Sequence, residues 1–201
     1  MIKATLWLLV LGATVGTVLD GFHTFSGTTW YAYPQFVRTV WWQPLLFAAA
    51  AVAIGMGRVI VDRVLRRQDP VPGWSQVVAA MALFIGCYAA TAFLPWSELS
   101  KALLVTACFV GGWLAWDRTA LGLAAALLTG LGGWAVERTI SSAGLFSYLH
   151  PSFGGVALWL PALYFLAALS IGMLARRLCV HESFARAKNS ARVRASSRSN
   201  P

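Results

Sequence analysis

Charge is what this sequence most lacks. Only 11% of its 201 residues are Asp, Glu, Lys or Arg, against about 25% in an ordinary soluble domain. That deficit excludes a water-solvated globule of usual composition and points to lipid as the solvent. Cysteine is also sparse. Cys87, Cys108 and Cys179 stand far apart, are odd in number and form no Cys-x-x-Cys. A disulfide framework is therefore not indicated, and the three read as small apolar residues packed in helices. Catalytic signatures are missing too: there is no HExxH, GxSxG or P-loop. Asp117 beside Arg118 is the only polar pair that a lipid-modifying enzyme could use, and it is thin. The reading is of a non-enzyme, with no catalytic residue and no cofactor.

What is present is hydrophobic, 58% of the chain. The apolar residues fall into six runs, each near the roughly 20 residues that cross a bilayer as a helix. We expect helices at about 2–19, 42–61, 74–94, 99–116, 119–136 and 158–178. Runs this long and continuous do not suit barrel strands, and a spanning backbone must satisfy its own hydrogen bonds. The fold class is an all-α integral membrane bundle of six transmembrane helices. Residues 1–178 form that domain, and 179–201 form a basic, disordered cytoplasmic tail. Lys3 ahead of the first run resembles a signal peptide, but no A-x-A site follows. A retained helix is the preferred reading. Pro44 sits where a first helical turn tolerates it.

Basic residues set the orientation. The N-terminus, the loops after the second and fourth helices, and the tail hold thirteen of the sixteen Lys and Arg residues. Arg38, Lys101 and Arg138 lie on the other side. By the positive-inside rule both termini are cytoplasmic. Tryptophans fall near the same two boundaries: Trp30, Trp41, Trp42, Trp96, Trp134 and Trp159 outside, Trp7, Trp74, Trp113 and Trp116 inside. Most read as interfacial belts. The tail's positive charge suits anionic headgroups, at about 1 kcal/mol per basic residue near the surface, better than it suits nucleic acid.

The central thirds of these spans carry no Asp, Glu, Lys, Arg or His, which disfavours a pump or proton-coupled transporter. A ligand held inside should therefore be a largely neutral lipid, such as a sterol or a glycerolipid without phosphate. His23 with Asp20, and His150, fall on the outer side and read as loop residues; no metal site is assigned. Gly12-x-x-x-Gly16 suits close helix packing, within the chain rather than between chains. The glycine content leaves room for a homo-oligomer.

Several stretches carry a family resemblance. Trp113-Leu114-Ala115-Trp116-Asp117-Arg118-Thr119, then Gly122, resembles the Trp-Trp-Thr-Phe-Asp-Arg-Ser signature of the Insig (insulin-induced gene) family. Val40-Trp41-Trp42-Gln43-Pro44 resembles the opening of that family's second helix. Phe84-Ile85-Gly86, with Ala89 and Ala92, resembles its third. Gly144, Tyr148, Pro151 and Phe153 match the spacing of its fifth loop, and Trp159-Leu160-Pro161 its last helix. The resemblance covers about 36–178. It implies six helices with cytosolic ends, and lipid sensing through protein partners rather than catalysis. Asp117 matches an aspartate needed for partner engagement, with Trp116 beside it. Phe84 and Trp113 match aromatic positions near a sterol site. Cys87, Tyr88, Thr91, Thr106 and Cys108 would add polar atoms for a hydroxyl, in a cavity walled by helices 1 to 4. Asp117 also suits an ordinary cap of the fifth helix.

The pattern has gaps: Ser100, Ser142-Ala143-Gly144 and Pro151-Ser152-Phe153 replace the family's Gln, Tyr-Asn-Gly and Pro-Asp-Phe. Ala-, Gly-, Arg- and Trp-rich usage points to a bacterial homologue. The cell membrane is then the expected location, with the endoplasmic reticulum the eukaryotic counterpart. The reading is a lipid-binding regulator with a neutral lipid ligand and a membrane protein partner. A small transporter or flippase, or a structural assembly protein, is the alternative.

Overall fold

A computed structural model describes the backbone of residues 1–198 and the side chains of 1–180, in both cases without 68 and 153. Phe153 of the fifth-loop match therefore lies outside the described residues.

Among the described residues, six helices are long and apolar enough to cross a membrane. They are α1 (Ile2–Ser26), α2 (Gln43–Val64), α3 (Trp74–Phe93), α4 (Glu98–Trp116), α5 (Ala120–Ser142) and α6 (Leu160–Arg198), whose spanning part is Leu160–Val180. Helix α6 is helical without a break at the expected 178/179 boundary. The disorder expected of the tail falls almost wholly on side chains outside the described residues. Among the described residues two short strands join the helices, β1 (Thr29–Tyr31) and β2 (Phe146–Tyr148). They pair antiparallel, with Thr29 opposite Tyr148 and Tyr31 opposite Phe146. A purely helical chain was expected. The exception is built from aromatic and β-branched residues that favour a pleated surface, and it ties the end of α1 to the end of α5.

The bundle is organised around α6. It packs on α2, α3, α4 and α5, and 61% of its span is buried, against a third or less for every other span. Ala162, Leu163, Leu166, Ala167 and Ala175 form the middle of the core. Trp159 is 0% exposed; it is a core residue, not a belt residue as expected. The other helices turn Leu, Val and Phe outward, including Leu128 at 71% and Leu103 at 62% exposure. In lipid such faces cost nothing, so burial concentrates on one central helix.

Close approach is made by small residues. Helix α1 passes through a π-helical stretch, Gly12–Gly16, where it crosses α2. A Cβ on Gly12 would collide with the Phe47 carbonyl, and one on Gly16 would lie 2.8 Å from Phe47 Cβ. The Gly-x-x-x-Gly pair thus serves packing within the chain. Gly133 does the same for α5 on α6, leaving room for the Tyr164 ring.

Two helices run longer than expected. Helix α1 continues seven residues past Leu19 and ends at Gly27, whose φ of 76° suits a left-handed cap. Helix α5 continues past Val136 to Ser142. Both extensions bring titratable groups into the spans: Asp20 and His23 in α1, Glu137 in α5.

Candidate functional site: a lateral cavity with an acidic corner

Helices α2 and α5 both pack on α6 but make little contact with each other. The gap between them is a cavity of about 470 Å³, within the size range of ligand sites. Ala49, Ala50, Ala53, Leu46 and Phe47 of α2 form one wall, and Leu128, Gly132, Gly133 and Val136 of α5 the other. Tyr164 of α6 is the floor, and Tyr31 and Phe146 of the hairpin close the outer end. Alanine and glycine make the space: nothing on the α2 and α5 backbones projects far enough to fill it.

A second space, about 100 Å³, lies among α1, α2, α3 and α6. The two share Phe47, Ala50, Ile54, Glu137 and Tyr164, so they adjoin at the middle of the bundle.

The polar groups of the larger cavity are gathered at its outer end. Tyr31 donates its hydroxyl to Asp20 Oδ2 at 3.0 Å. Tyr164 donates to Glu137 Oε1 at 2.8 Å, and Tyr148 donates to Glu137 Oε2. Burial pushes the Tyr31 and Tyr148 phenols above their ordinary range, reinforced by the carboxyl groups beside them. Both therefore remain donors at any physiological pH. Among the described lining residues there is no Lys, Arg or His. The expectation that a ligand here meets almost no fixed charge needs correction. The spans do lack charge in their central thirds, but two carboxyl groups reach the cavity from the outer thirds.

His23 was taken for a loop residue. It is 3% exposed, within α1. Its Nε2 lies 3.0 Å from Thr91 Oγ1, and its ring stacks on Tyr88 and packs against Trp159. Sequence periodicity could not reveal this, because the partners come from α3 and α6.

The residues expected to bind ligand fare unequally. Phe84 and Tyr88 line the smaller space. Cys87 and Thr91 are buried in α3 but line neither space, and Thr91 is committed to His23 and to the Tyr88 carbonyl. Cys108 and Trp113 are half-buried and line neither; Trp113 Nε1 donates to the Thr119 carbonyl at 3.1 Å. Thr106 is exposed on the outer face of α4. Helix α4 contributes to neither cavity. The expected walls, helices 1 to 4, are thus replaced by α2, α5 and α6 for the larger space. The physical reason is that α6 is central, so the gaps open beside it.

Asp117 sits at the opposite, basic end. Its carboxylate is 4% exposed and accepts from Arg58 Nη1 at 2.8 Å, from Thr119 N at 3.3 Å and from the Thr119 hydroxyl. Gly122 is required here, since a Cβ would collide with the carboxylate. Arg58 also donates to Asp62, which pairs with Arg176 of α6 at 3.0 Å. Burial would raise the Asp117 pKa, but Arg58 and Thr119 outweigh it and hold the carboxyl below the usual carboxylate range. Trp116 is half-buried and packs at Gly112. Asp117 therefore joins α2 to the α4–α5 turn rather than presenting a free charge. Among the described residues no group of three or more His, Cys, Asp or Glu could hold a metal.

Five apolar spans arranged around a sixth, with a cavity between α2 and α5, define a small polytopic membrane protein. A sequence profile of the insulin-induced protein (INSIG) family matches residues 3–179. The chain belongs to that family. It is 29% identical over 180 residues to the Insulin-induced gene 2 protein of Xenopus laevis, covering 87% of this chain and 83% of that one. It is 26% identical to the Insulin-induced gene 1 protein of Danio rerio, covering 90% and 74%. The crystal structure of a mycobacterial Insig homologue from Mycobacterium vanbaalenii superposes with a TM-score of 0.75 at 26% identity, over 88% of this chain and 94% of that one. A cross-linked trimer of that homologue gives 0.76 over the same coverage.

Proposed function

We propose that this protein binds a neutral lipid, sterol-like or a glycerolipid such as a diglyceride, in the cavity between α2 and α5. Occupancy would regulate a membrane protein partner, without catalysis. One observation carries the reading: a space of about 470 Å³, walled by alanine, glycine and aliphatic side chains, opens where two helices fail to meet. An acyl chain or ring placed there gains about 25 cal/mol per Å² of apolar surface removed from water. The ligand acts as a regulator only if it favours one packing of the bundle over another. The α2–α5 gap is the natural variable, because α5 is held mainly through α6 while α2 is held by α1 and α6.

Phe84 and Tyr88 retain a ligand-facing role through the smaller space. A homo-oligomer fits the exposed apolar faces of α4 and α5 and the trimer formed by the mycobacterial homologue. Both termini are assigned to the cytoplasm from the basic-residue count, and the host membrane to the cell membrane of a bacterium.

Native mass spectrometry of protein purified in mild detergent tests the reading. A stoichiometric neutral lipid is expected, and Ala53→Phe, which fills the cavity, should remove it. Heterogeneous phospholipid below one per chain, unchanged by that substitution, would overturn it. A second reading, a small transporter or flippase, draws on the carboxyl groups found within the spans. It predicts lipid or ion movement across liposomes reconstituted with the protein.

A further inference from the structure

We propose that a polar pocket at the outer end of the bundle, between α3, α4 and the hairpin, receives the phosphoethanolamine headgroup of a membrane phospholipid. This pocket is separate from the cavity between α2 and α5, and what it binds does not depend on what that cavity holds.

The pocket has a volume of about 370 Å³, within the size range of ligand sites. It forms where the chain turns from α3 into α4 through Leu94, Pro95 and Trp96, opposite Tyr148, Leu149 and His150. Ser26 and Thr28, at the end of α1, complete it. The two apolar spaces have no Lys, Arg or His among their described lining residues, whereas this one has Lys101 and His150.

Most polar groups here are already engaged. The Ser26 and Thr28 hydroxyls lie 2.8 Å apart; Ser26 donates to the His23 carbonyl at 3.0 Å and Thr28 to the Ala92 carbonyl at 3.3 Å. Tyr148 is spent on Glu137. Lys101 is the exception. It is 7% exposed, yet its ammonium makes no hydrogen bond among the described residues. The carboxylate paired with it, Glu98, stands 3.8 Å away, well beyond the about 2.7–2.9 Å of a charged hydrogen bond. Its place adds a second penalty. Helix α4 begins at Glu98, so Lys101 stands one turn in, near the end where the helix dipole favours anions and disfavours cations. Burial without a close partner is costly for a charge. An anionic oxygen brought into the pocket relieves both penalties at once.

Glu98 decides what must accompany that oxygen. It is half-buried and lines the same pocket, so it repels a ligand that carries negative charge alone. A headgroup with both signs answers both residues: its phosphate accepts from Lys101, and its primary ammonium donates to Glu98. A quaternary ammonium has no N–H to give, and a glycerol headgroup brings no cation. His150 stands exposed at the rim as a second donor toward phosphate.

The rim favours a lipid over a soluble ester. Phe93, Trp96 and Leu149 line the pocket and are exposed. Tryptophan is at home at headgroup depth, and acyl chains leaving the pocket would cover these three side chains.

The test uses the full chain in mild detergent. It is offered dioleoyl phosphatidylethanolamine, phosphatidylcholine or phosphatidylglycerol in separate arms, and retained lipid is counted by native mass spectrometry. Phosphatidylethanolamine should be retained about tenfold over the other two, the effect of one charged hydrogen bond. Glu98→Gln should bring it down to the level of phosphatidylcholine, and Lys101→Met should lower all three. Ala53→Phe, in the larger cavity, should leave the preference unchanged. If Lys101→Met fails to fold, Glu98→Gln decides alone. Equal retention of the three by the wild type, a preference for phosphatidylglycerol, or a preference that survives Glu98→Gln or is lost in Ala53→Phe would overturn the headgroup site. Glycerophosphoethanolamine, added at the concentration of the lipid, should fail to displace it; displacement would overturn the lipid as the ligand and assign the pocket to a soluble ester.

Discussion

At the scale of the residue, the polar groups of this protein act in pairs drawn from different helices. Asp117 with Arg58 is the clearest case, both partners being more than nine-tenths buried. Removing one member leaves the other unpaired in a poorly solvated place, which costs about 3 kcal/mol or more. Asp117→Ala should therefore lower the thermal midpoint in detergent by several degrees, with Arg58→Ala close behind. The loss should also depend on pH. The folded Asp117 carboxyl titrates below its ordinary value of 3.8, so its stabilisation is complete above that value and disappears as pH falls through the lower, folded one. The gap in midpoint between wild type and Asp117→Asn should be constant from pH 7 to 5 and narrow as pH falls below the ordinary carboxylate value of 3.8; a gap that persists in acid would show that Asp117 acts by shape alone. A second pair, His23 with Thr91, invites the near-isosteric Thr91→Val. Leaving the buried imidazole nitrogen unmet should cost about 1–3 kcal/mol, read from the same unfolding curve.

At the scale of the element, contact is decided by where side chains are absent. Helix α1 touches α2 through Gly12 and Gly16, and no larger residue fits at Gly12 without moving the Phe47 backbone. Gly12→Leu should push the two helices apart at a cost of about 1–3 kcal/mol. A cysteine pair placed across α1 and α2 would cross-link more slowly in that variant than in wild type. The helices themselves were readable: each span begins within about two residues of its expected start, because a hydrophobic run is a property of the chain alone. Two of their ends, those of α1 and α5, were not. Asp20, His23 and Glu137 look like span-breaking residues in sequence, yet α1 and α5 run through all three. What permits this is Tyr31, Thr91, Tyr148 and Tyr164, which approach from elsewhere in the fold.

For the molecule as a whole, the decisive feature is that α6 holds the centre and the other helices are arranged around it. Cavities then lie beside α6, between neighbours that it keeps apart. The polar residues picked from the sequence as ligand contacts lie mostly on α3 and α4, away from the larger space. Of the seven, only Phe84 and Tyr88 reach a cavity wall, whereas Asp20 and Glu137 went unremarked as a group. No periodicity links positions on α1 and α5. The single available signal was their chemistry: carboxyl groups near spans that otherwise carry almost none. Topology is also testable at this scale. Single cysteines at 66 and 150, in a chain whose own three are replaced, should react with an impermeant thiol reagent from opposite sides of sealed cells. Position 150 should be the one labelled from outside.

The sequence by itself determined that the chain lives in lipid, how many times it crosses, and the family to which it belongs. These follow from hydrophobic run length and from local motifs such as the Trp113–Thr119 stretch, which need no knowledge of what lies across the bundle. Only the tertiary structure decided which helix is central, that the hairpin of β1 and β2 closes one end, and where the cavity opens. Those depend on long-range packing of glycine against backbone and of carboxyl against tyrosine, and the partners in each case are separated by many residues and joined only by the fold.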